Sequence, residues 1–526
     1  MEIDIEHIAA QDDNKTIRNH VIKVMVLSTL VRLVLAFLLE LGNDEVYYWT
    51  YARYPDLSHF DHPPMVGFLI QASTLNLLFD NDFFLRLGPI ILAAWNTWLI
   101  YKIGTKVKDE TAGLYASLLY TSSFYCSIIG GFAIIPDAPQ IFFWLLCLKL
   151  MIDFLPVDRI DNTVRLKMIL FGCYAGLAML SKYHSIFIWV GVVAFITFYK
   201  RLWLREYSLY VAMFISVLIF SPILLWNYQN DFISYTFHSN RVTPAFQLHP
   251  ESFLMEIAGQ IAYSNPFNYV LIVIAIVALI RKEIFIKTPV KRILLLNSIP
   301  LYFIFTGFSL FRSTLPHWTG PAFIPLIIIA AAYWSDRFKS KSVYLPFKII
   351  FPTYFLMAIL LIGVYCVGYS PFQWGKTSSV NTWGENDFMQ DLYGWEATGN
   401  AVAKIVMKEE AAGRMAKGSG FVSYRWFPGA HEDFYVAKPL SRDLFLIGDL
   451  NDIHKYFWIN QERGGLVTGN DYYHIAVSNY YRDPVMLFGN YFEKIEPIDT
   501  ISVVRANSIL RYAFVYRMKN FKGRIQ

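Results

Sequence analysis

Residues 43–64 read NDEVYYWTYARYPDLSHFDHPP. Asp44, Glu45, Asp56 and Asp61 share this stretch with Arg53, His59, His62, a run of aromatic rings and Pro55, Pro63 and Pro64. Long apolar runs lie on either side, 21–41 before it and 85–105 after it. Polar sequence this dense between runs this apolar marks the edge of a membrane. Its side of the membrane decides how the remaining chain is threaded.

The chain has 526 residues, 55% of them hydrophobic and 17% charged, with a mean hydropathy of +0.37. Soluble domains carry about 25% charged residues. The shortfall is regional. Residues 1–20 and 370–526 read as water-soluble sequence, and 21–369 are mostly apolar. The expected organisation is a cytoplasmic N-terminus (1–20), a transmembrane domain (21–369) and a soluble extracytoplasmic domain (370–526). The net charge of +5 comes from loop lysines and arginines and does not describe a nucleic-acid surface. Cys126, Cys147, Cys173 and Cys366 all fall in apolar runs, at spacings that suggest no metal site. The first apolar run is long enough to span and lacks a small-residue cleavage site, so no cleavable signal peptide is expected.

A spanning helix needs roughly 20 apolar residues. The candidates are 21–41, 85–105, 112–131, 138–155, 167–181, 184–200, 207–226, 265–281, 291–309, 319–335 and 345–368. Residues 64–79 form a further, shorter run. Short loops rich in Lys and Arg stay cytoplasmic. Such loops are 101–110, 157–167, 199–206, 281–292 and 335–342, and the N-terminus joins them. All can share one side only if 64–79 does not cross. The sequence therefore predicts about eleven spans, with 64–79 at the interface or re-entrant.

This threading places 43–64, 130–139, 180–185, 227–264, 310–321 and the soluble tail on the outer face. Carboxylates and cations collect there. Asp44 and Glu45 follow the first span, Asp61 and His62 precede two prolines, and Asp137 stands at the mouth of a helix, where it could cap the helix start. The cations are Lys182, His184, Arg241, Arg312 and His317. A carboxylate can take a proton from an attacking hydroxyl, and a cation can hold a phosphate as charge develops on it. Plainer readings stand beside these. Tyr47, Tyr48, Trp49 and Tyr51 suit an aromatic belt or a sugar platform, Lys182 a snorkelling helix end, and Arg32 snorkelling or an internal pair.

The pattern NDEVYYW…DLSHFDHPPMVGFLI…NDFFLRLGPIILA resembles bacterial members of glycosyltransferase family 39. These are GT-C enzymes related to protein O-mannosyltransferases and lipid A aminoarabinose transferase. IIPDAPQIFFWLL, AGLAMLSKYHSIFI, SPILLWNYQNDFISYTFHSNR and LPHWTGPAFIPL continue the resemblance over most of 20–335. It implies inverting sugar transfer from a polyprenyl-phosphate donor to a protein, lipid A or another envelope glycan, on the outer face of a bacterial inner membrane. By position, Asp44 matches the acidic residue that acts as, or positions, the base, Glu45 its acceptor-side neighbour and Asp137 a second required carboxylate. Asp61 and His62 match an acid–cation pair in which the aminoarabinose branch has Glu-Lys. The histidine is only partly charged at neutral pH, which favours Lys182 as the phosphate partner. Arg241 and Arg312 resemble basic family positions less closely, and His317 lies in a matching motif. No cofactor is implied with certainty, and a divalent cation at Asp44 and Asp137 has no spacing to support it. The competing reading is a transporter or flippase of a lipid-linked glycan. The gathering of ionisable residues at one face, with no inverted repeat, weighs against it.

In the tail, 393–415 reads as a helix and 421–427 and 443–450 as strands, a small α/β unit.

Overall fold

The computed structural model describes residues 2–242, 247–338 and 345–523, with side chains from residue 14 onward and none at 240–242. The contacts divide the chain into two units. One takes in residues 1–34 and 56–359, the other residues 35–55 and 360–526.

The first unit is helical. Its elements are α1 (Glu2–Leu38, whose outer end belongs to the second unit), α3 (Met65–Ser73), α4 (Asp82–Val107), α5 (Glu110–Ser122), α6 (Asp137–Phe154), α7 (Asn162–Ser181), α8 (Phe187–Tyr199), α9 (Tyr207–Gln229), α10 (Ile233–Val242), α11 (Pro250–Ser264), α12 (Pro266–Ile280), α13 (Thr288–Leu296), α14 (Ile299–Phe308), α15 (Gly320–Arg337) and α16 (Phe347–Gly368), which passes into the second unit. Between α1 and α3 lies α2 (Asn43–Arg53), in the second unit.

Among the described residues, seven segments are long and apolar enough to cross a membrane: 14–38, 82–107, 162–181, 207–229, 288–308, 316–337 and 347–368. The α11–α12 pair, bent by 99°, adds an eighth if it counts as one span. The other expected spans are helical too. α8 is a short apolar helix, α5 stops after 13 residues, and α6 carries Asp137, Lys149 and Asp153. At 9 residues α3 is far too short to cross a core of about 30 Å. Leu75, Asn76 and Leu77, all with left-handed φ of 52°, 57° and 64°, turn the chain back after it.

Small residues bring the helices together. A Cβ on Gly172 of α7 would stand 2.4 Å from the Ala212 carbonyl oxygen of α9. Ser216 of α9 donates to the Gly172 carbonyl at 2.6 Å, and Trp189 donates to Ser216 at 3.1 Å. Backbone contact of this kind suits helices packed in lipid, where burial of apolar surface supplies little drive. Arg32 turns inward from α1, giving hydrogen bonds of 2.9 Å to both the carbonyl and the hydroxyl of Ser127.

Ion pairs bring the basic loops to one end of this unit. Lys108 meets Asp336 at 2.6 Å, Lys167 meets Asp153 at 3.1 Å, and Arg165 meets Glu206 at 3.0 Å. Lys106 pairs with Asp153, Lys200 with Asp158 and Arg337 with Glu283. Together they link all five loops that the charge rule placed on one side. With the native cysteines replaced, Leu57→Cys and Asn81→Cys are both expected to react with an impermeant thiol reagent from outside. Reaction at 57 with protection at 81 would mean that 64–79 crosses.

The second unit is the expected α/β fold. α17 (Trp395–Ala411) precedes a five-stranded sheet of order β2-β1-β3-β5-β4. The strands are β1 (Phe421–Ser423), β2 (Leu444–Leu446), β3 (Tyr472–Val477), β4 (Phe492–Arg505) and β5 (Ser508–Phe521). β1 runs parallel to β2 and β3, and β5 runs antiparallel to β3 and β4. Connecting helices are α18 (Trp426–Glu432), α19 (Leu450–Ile453), α20 (Tyr456–Glu462) and α21 (Pro484–Phe488).

α2 is part of this unit, and that changes the reading of its aromatic residues. Tyr47, Tyr48, Trp49 and Tyr51 are buried, so they form neither a membrane belt nor an open sugar platform. Tyr47 meets the rings of Trp426 and His454 at 5.0 and 5.9 Å, and Trp49 meets Phe434 at 5.1 Å. Leu41 N–H donates to the Tyr435 hydroxyl at 2.8 Å, and Asn43 donates to Asp391 at 2.7 Å.

Candidate functional site

The end of the first unit opposite the basic loops gathers 130–139, 180–185 and 310–321. Its centre is Asp137, the first residue of α6. Lys182 lies just past the end of α7 and donates to Asp137 Oδ2 at 2.6 Å, with side-chain exposures of 5% and 2%. The Tyr125 hydroxyl donates to Asp137 Oδ1 at 3.0 Å. A Cβ on Gly320 would stand 2.3 Å from the Tyr125 ring, so the missing side chain makes room for it. Asp137 therefore does not cap α6; its oxygens go to Lys182 and Tyr125, and Lys182 turns inward and does not snorkel. His184 and His317 lie within electrostatic reach of the same carboxylate. The ring of His317, on the turn Pro316–Thr319, is 6.4 Å from that of Tyr263.

The segment 180–185 fans out from Lys182. Tyr183 points to His238, ring to ring at 5.2 Å, and the ring of His184 meets Phe305 at 5.8 Å. His238 holds the 59–62 loop, with Nε2 2.6 Å from the Asp61 carbonyl oxygen and its ring 5.8 Å from His62. Ser234 donates to the His59 carbonyl at 3.0 Å. The structure thus brings Asp137 and Lys182 into direct contact and joins Asp61 and His62 to them through Tyr183 and His238. Arg312 is half-buried on the segment that follows α14. The Arg241 side chain lies outside the described residues.

Asp44 and Glu45 belong to the second unit. Asp44 is exposed in the first turn of α2. Glu45 is buried and accepts the Gly42 N–H at 2.9 Å, closing the start of its own helix. Among the described residues no group of three His, Cys, Asp or Glu side chains converges as a metal site.

Sequence reasoning missed several residues. Glu256 is buried on α11, accepting from Gln260 at 2.9 Å and from Thr314 at 2.8 Å; Gln260 also donates to Thr306 at 2.9 Å. This network fixes the segment between Arg312 and His317. A carboxylate and an amide four residues apart in an otherwise apolar helix were the available signal. Arg86, fully buried on α4, stacks over Phe132 at 4.7 Å. An arginine inside a spanning run marks such a residue.

Buried titratable groups in the second unit set its pH response. Burial pushes Glu432 up to about 8, reinforced by the charge of Asp433. Burial lowers His431 to about 3 and His474 to about 4, and raises Asp391 to about 6. Stability linked to a raised acid is present below its unfolded pKa and lost as pH climbs through the folded value. The lowered histidines act oppositely and lose stability as pH falls below about 6.5. Of these four groups only Glu432 acts between pH 6.5 and 8, because Asp391 is spent by about 6. Thermal unfolding is expected to show a loss of about 2 kcal/mol across that window. Glu432→Gln should flatten it, and an unchanged slope in the variant would place the titration elsewhere.

Comparison with known proteins bears on both units. Residues 61–226 match the family model described as dolichyl-phosphate-mannose-protein mannosyltransferase. The lipid A galacturonosyltransferase RgtD of Rhizobium johnstonii is 26% identical over 195 residues, which cover 36% of this chain and 38% of that protein. The crystal structure of ArnT from Cupriavidus metallidurans in its apo state superposes with a TM-score of 0.61, covering 94% of this chain and 97% of that one at 12% identity. The same protein bound to undecaprenyl phosphate gives 0.60 at 14% identity, with the same coverage. The fold is thus a polytopic helical GT-C fold with a small α/β unit. The chain thus has the fold of that solved transferase, and its residues 61–226 are similar to the mannosyltransferase family.

Proposed function

We propose that the chain transfers a sugar, with inversion, from a polyprenyl-phosphate carrier to an acceptor on the extracytoplasmic face of a bacterial inner membrane. The buried Asp137–Lys182 pair, flanked by His184 and His317 at the end of the first unit away from its basic loops, is the observation that carries this reading. That end is where the positive-inside rule puts the outside. The relatives point the same way, one named for transfer to lipid A and one solved with undecaprenyl phosphate bound. Lipid A, a protein or another envelope glycan would serve as acceptor.

In the reaction, Asp44 takes the proton of the acceptor hydroxyl. Glu45 holds the start of the helix that carries Asp44. The acceptor oxygen bonds to the anomeric carbon as the bond from that carbon to the phosphate oxygen breaks. The electron pair leaves with the polyprenyl phosphate. Lys182 and Arg312 offset the charge gained by that leaving group, the kind of electrostatic support worth several kcal/mol when prearranged. Asp137 holds Lys182 in place, and Asp61 and His62 shape the neighbouring loop.

The decisive assay supplies purified protein in detergent with a polyprenyl-phosphate sugar and an acceptor. Release of free polyprenyl phosphate with a glycosylated product is the expected result. Donor left intact in detergent, but moved across the bilayer of reconstituted vesicles, would establish a transporter instead.

A further inference from the structure

In the second unit β1, β2 and β3 run parallel in the order β2-β1-β3. The chain leaving β1 passes to one side of it, and the chain leaving β2 returns on the other. The carboxyl ends of β1 and β3 therefore flank a switch point, the place where open α/β sheets leave a crevice for ligands.

The loops at this point interlock through aromatic residues and carry two arginines. Tyr424, following β1, donates to the Tyr480 carbonyl, following β3, at 2.6 Å. The Phe427 ring meets that of Tyr480 edge-on at 5.1 Å. The Arg482 guanidinium lies 5.5 Å over Tyr424, and that of Arg425 lies 4.7 Å over Phe427. Arg425 is half-buried and Arg482 exposed. The carboxylates near them are Asp452, 3.8 Å from Arg425 and itself exposed, and Glu432, buried next to Ser423 and Tyr424 with Oε1 lacking a hydrogen-bond partner. Glu432 is largely protonated below pH 8, so it does not repel an anion at neutral pH.

A guanidinium packed over a ring keeps its charge and its fork of donors, which matches a phosphate in bidentate geometry. Tyr424 is buried and Phe427 half-buried, so the two rings serve as the backing for the arginines. We infer that the carboxyl ends of β1 and β3 form a binding site for a phosphate group, held by Arg425 and Arg482 with Tyr424 and Phe427 behind them. The site lies within the second unit and is read by binding alone, so it stands or falls separately from the transfer reaction.

The test measures binding of full-length protein in detergent to a diphosphorylated glucosamine-disaccharide glycolipid, its dephosphorylated form, and soluble glucosamine 6-phosphate. Removing the phosphates is expected to weaken binding at least tenfold. The Arg425→Gln/Arg482→Gln variant should lose at least tenfold for the phosphorylated ligand and nothing for the dephosphorylated one, with its unfolding temperature unchanged. Arg→Lys at both positions keeps the charge without the fork and should fall between. Competition by glucosamine 6-phosphate would show that the headgroup suffices and the lipid is not needed. Equal affinity for both glycolipids, or wild-type affinity in the double Gln variant, would overturn the inference.

Discussion

Asp44→Asn is expected to lower turnover of the lipid-linked donor about 10²- to 10⁴-fold, the range that loss of a general base gives. The substitution keeps the size of the side chain and removes its charge and its ability to hold a proton. Asp44 is exposed in the first turn of α2. Loss of its charge from the first turn costs the helix dipole about 0.3–1 kcal/mol. Glu45→Gln is the control. Its amide oxygen can still accept the Gly42 N–H, so the helix start survives and activity should fall far less. Steady-state rates with purified donor, set beside unfolding temperatures, separate the two. Wild-type turnover in Asp44→Asn would remove Asp44 from the mechanism, whatever the fate of Glu45.

Lys182→Met is expected to be the most damaging single change in the first unit. It takes the paired ammonium away from the buried Asp137 carboxylate, to which Tyr125 still donates. Breaking a buried pair from one side typically costs about 3–5 kcal/mol. Asp137→Asn in the same molecule removes the stranded charge, so the double variant should be more stable than Lys182→Met alone. Activity should behave differently. If Lys182 supports the phosphate, the double variant stays inactive although its fold is restored, and Lys182→Met costs more in kcat/KM than His62→Gln does. Thermal unfolding and donor kinetics on the complete double-mutant cycle provide both readings. Recovery of activity along with stability would leave the pair a purely structural role.

The parts of this molecule legible in its sequence are those governed by local pattern. Runs of apolar residues became helices at nearly the expected boundaries. The charge rule grouped five loops that ion pairs such as Lys108–Asp336 do tie together. Counting crossings set 64–79 apart from the spans, and α3 is too short to be one. Long-range partnerships were not legible. Lys182 and Asp137 are 45 residues apart, and nothing near either names the other. The rings of Tyr47 and Trp49 looked like a membrane belt because their burial depends on Trp426, His454 and Phe434, nearly 400 residues later. Glu45 carried the look of a catalytic neighbour, while its contact with Gly42 makes it a helix cap. Residue type alone does not separate those roles, since both call for an acid in the first turn.

The membership of α2 in the second unit also sets a schedule for synthesis. Arg53, the last residue of α2, leaves the ribosome about 370 residues before Trp426. At 5–20 residues per second that is a delay of roughly 20–70 s. Throughout that interval Tyr47 and Trp49 wait for Trp426, His454 and Phe434, while successive membrane segments are still being inserted behind them. A chain ended early, before residue 426, would never supply those partners. The tail is in this sense the last instalment of a structure begun at residue 35.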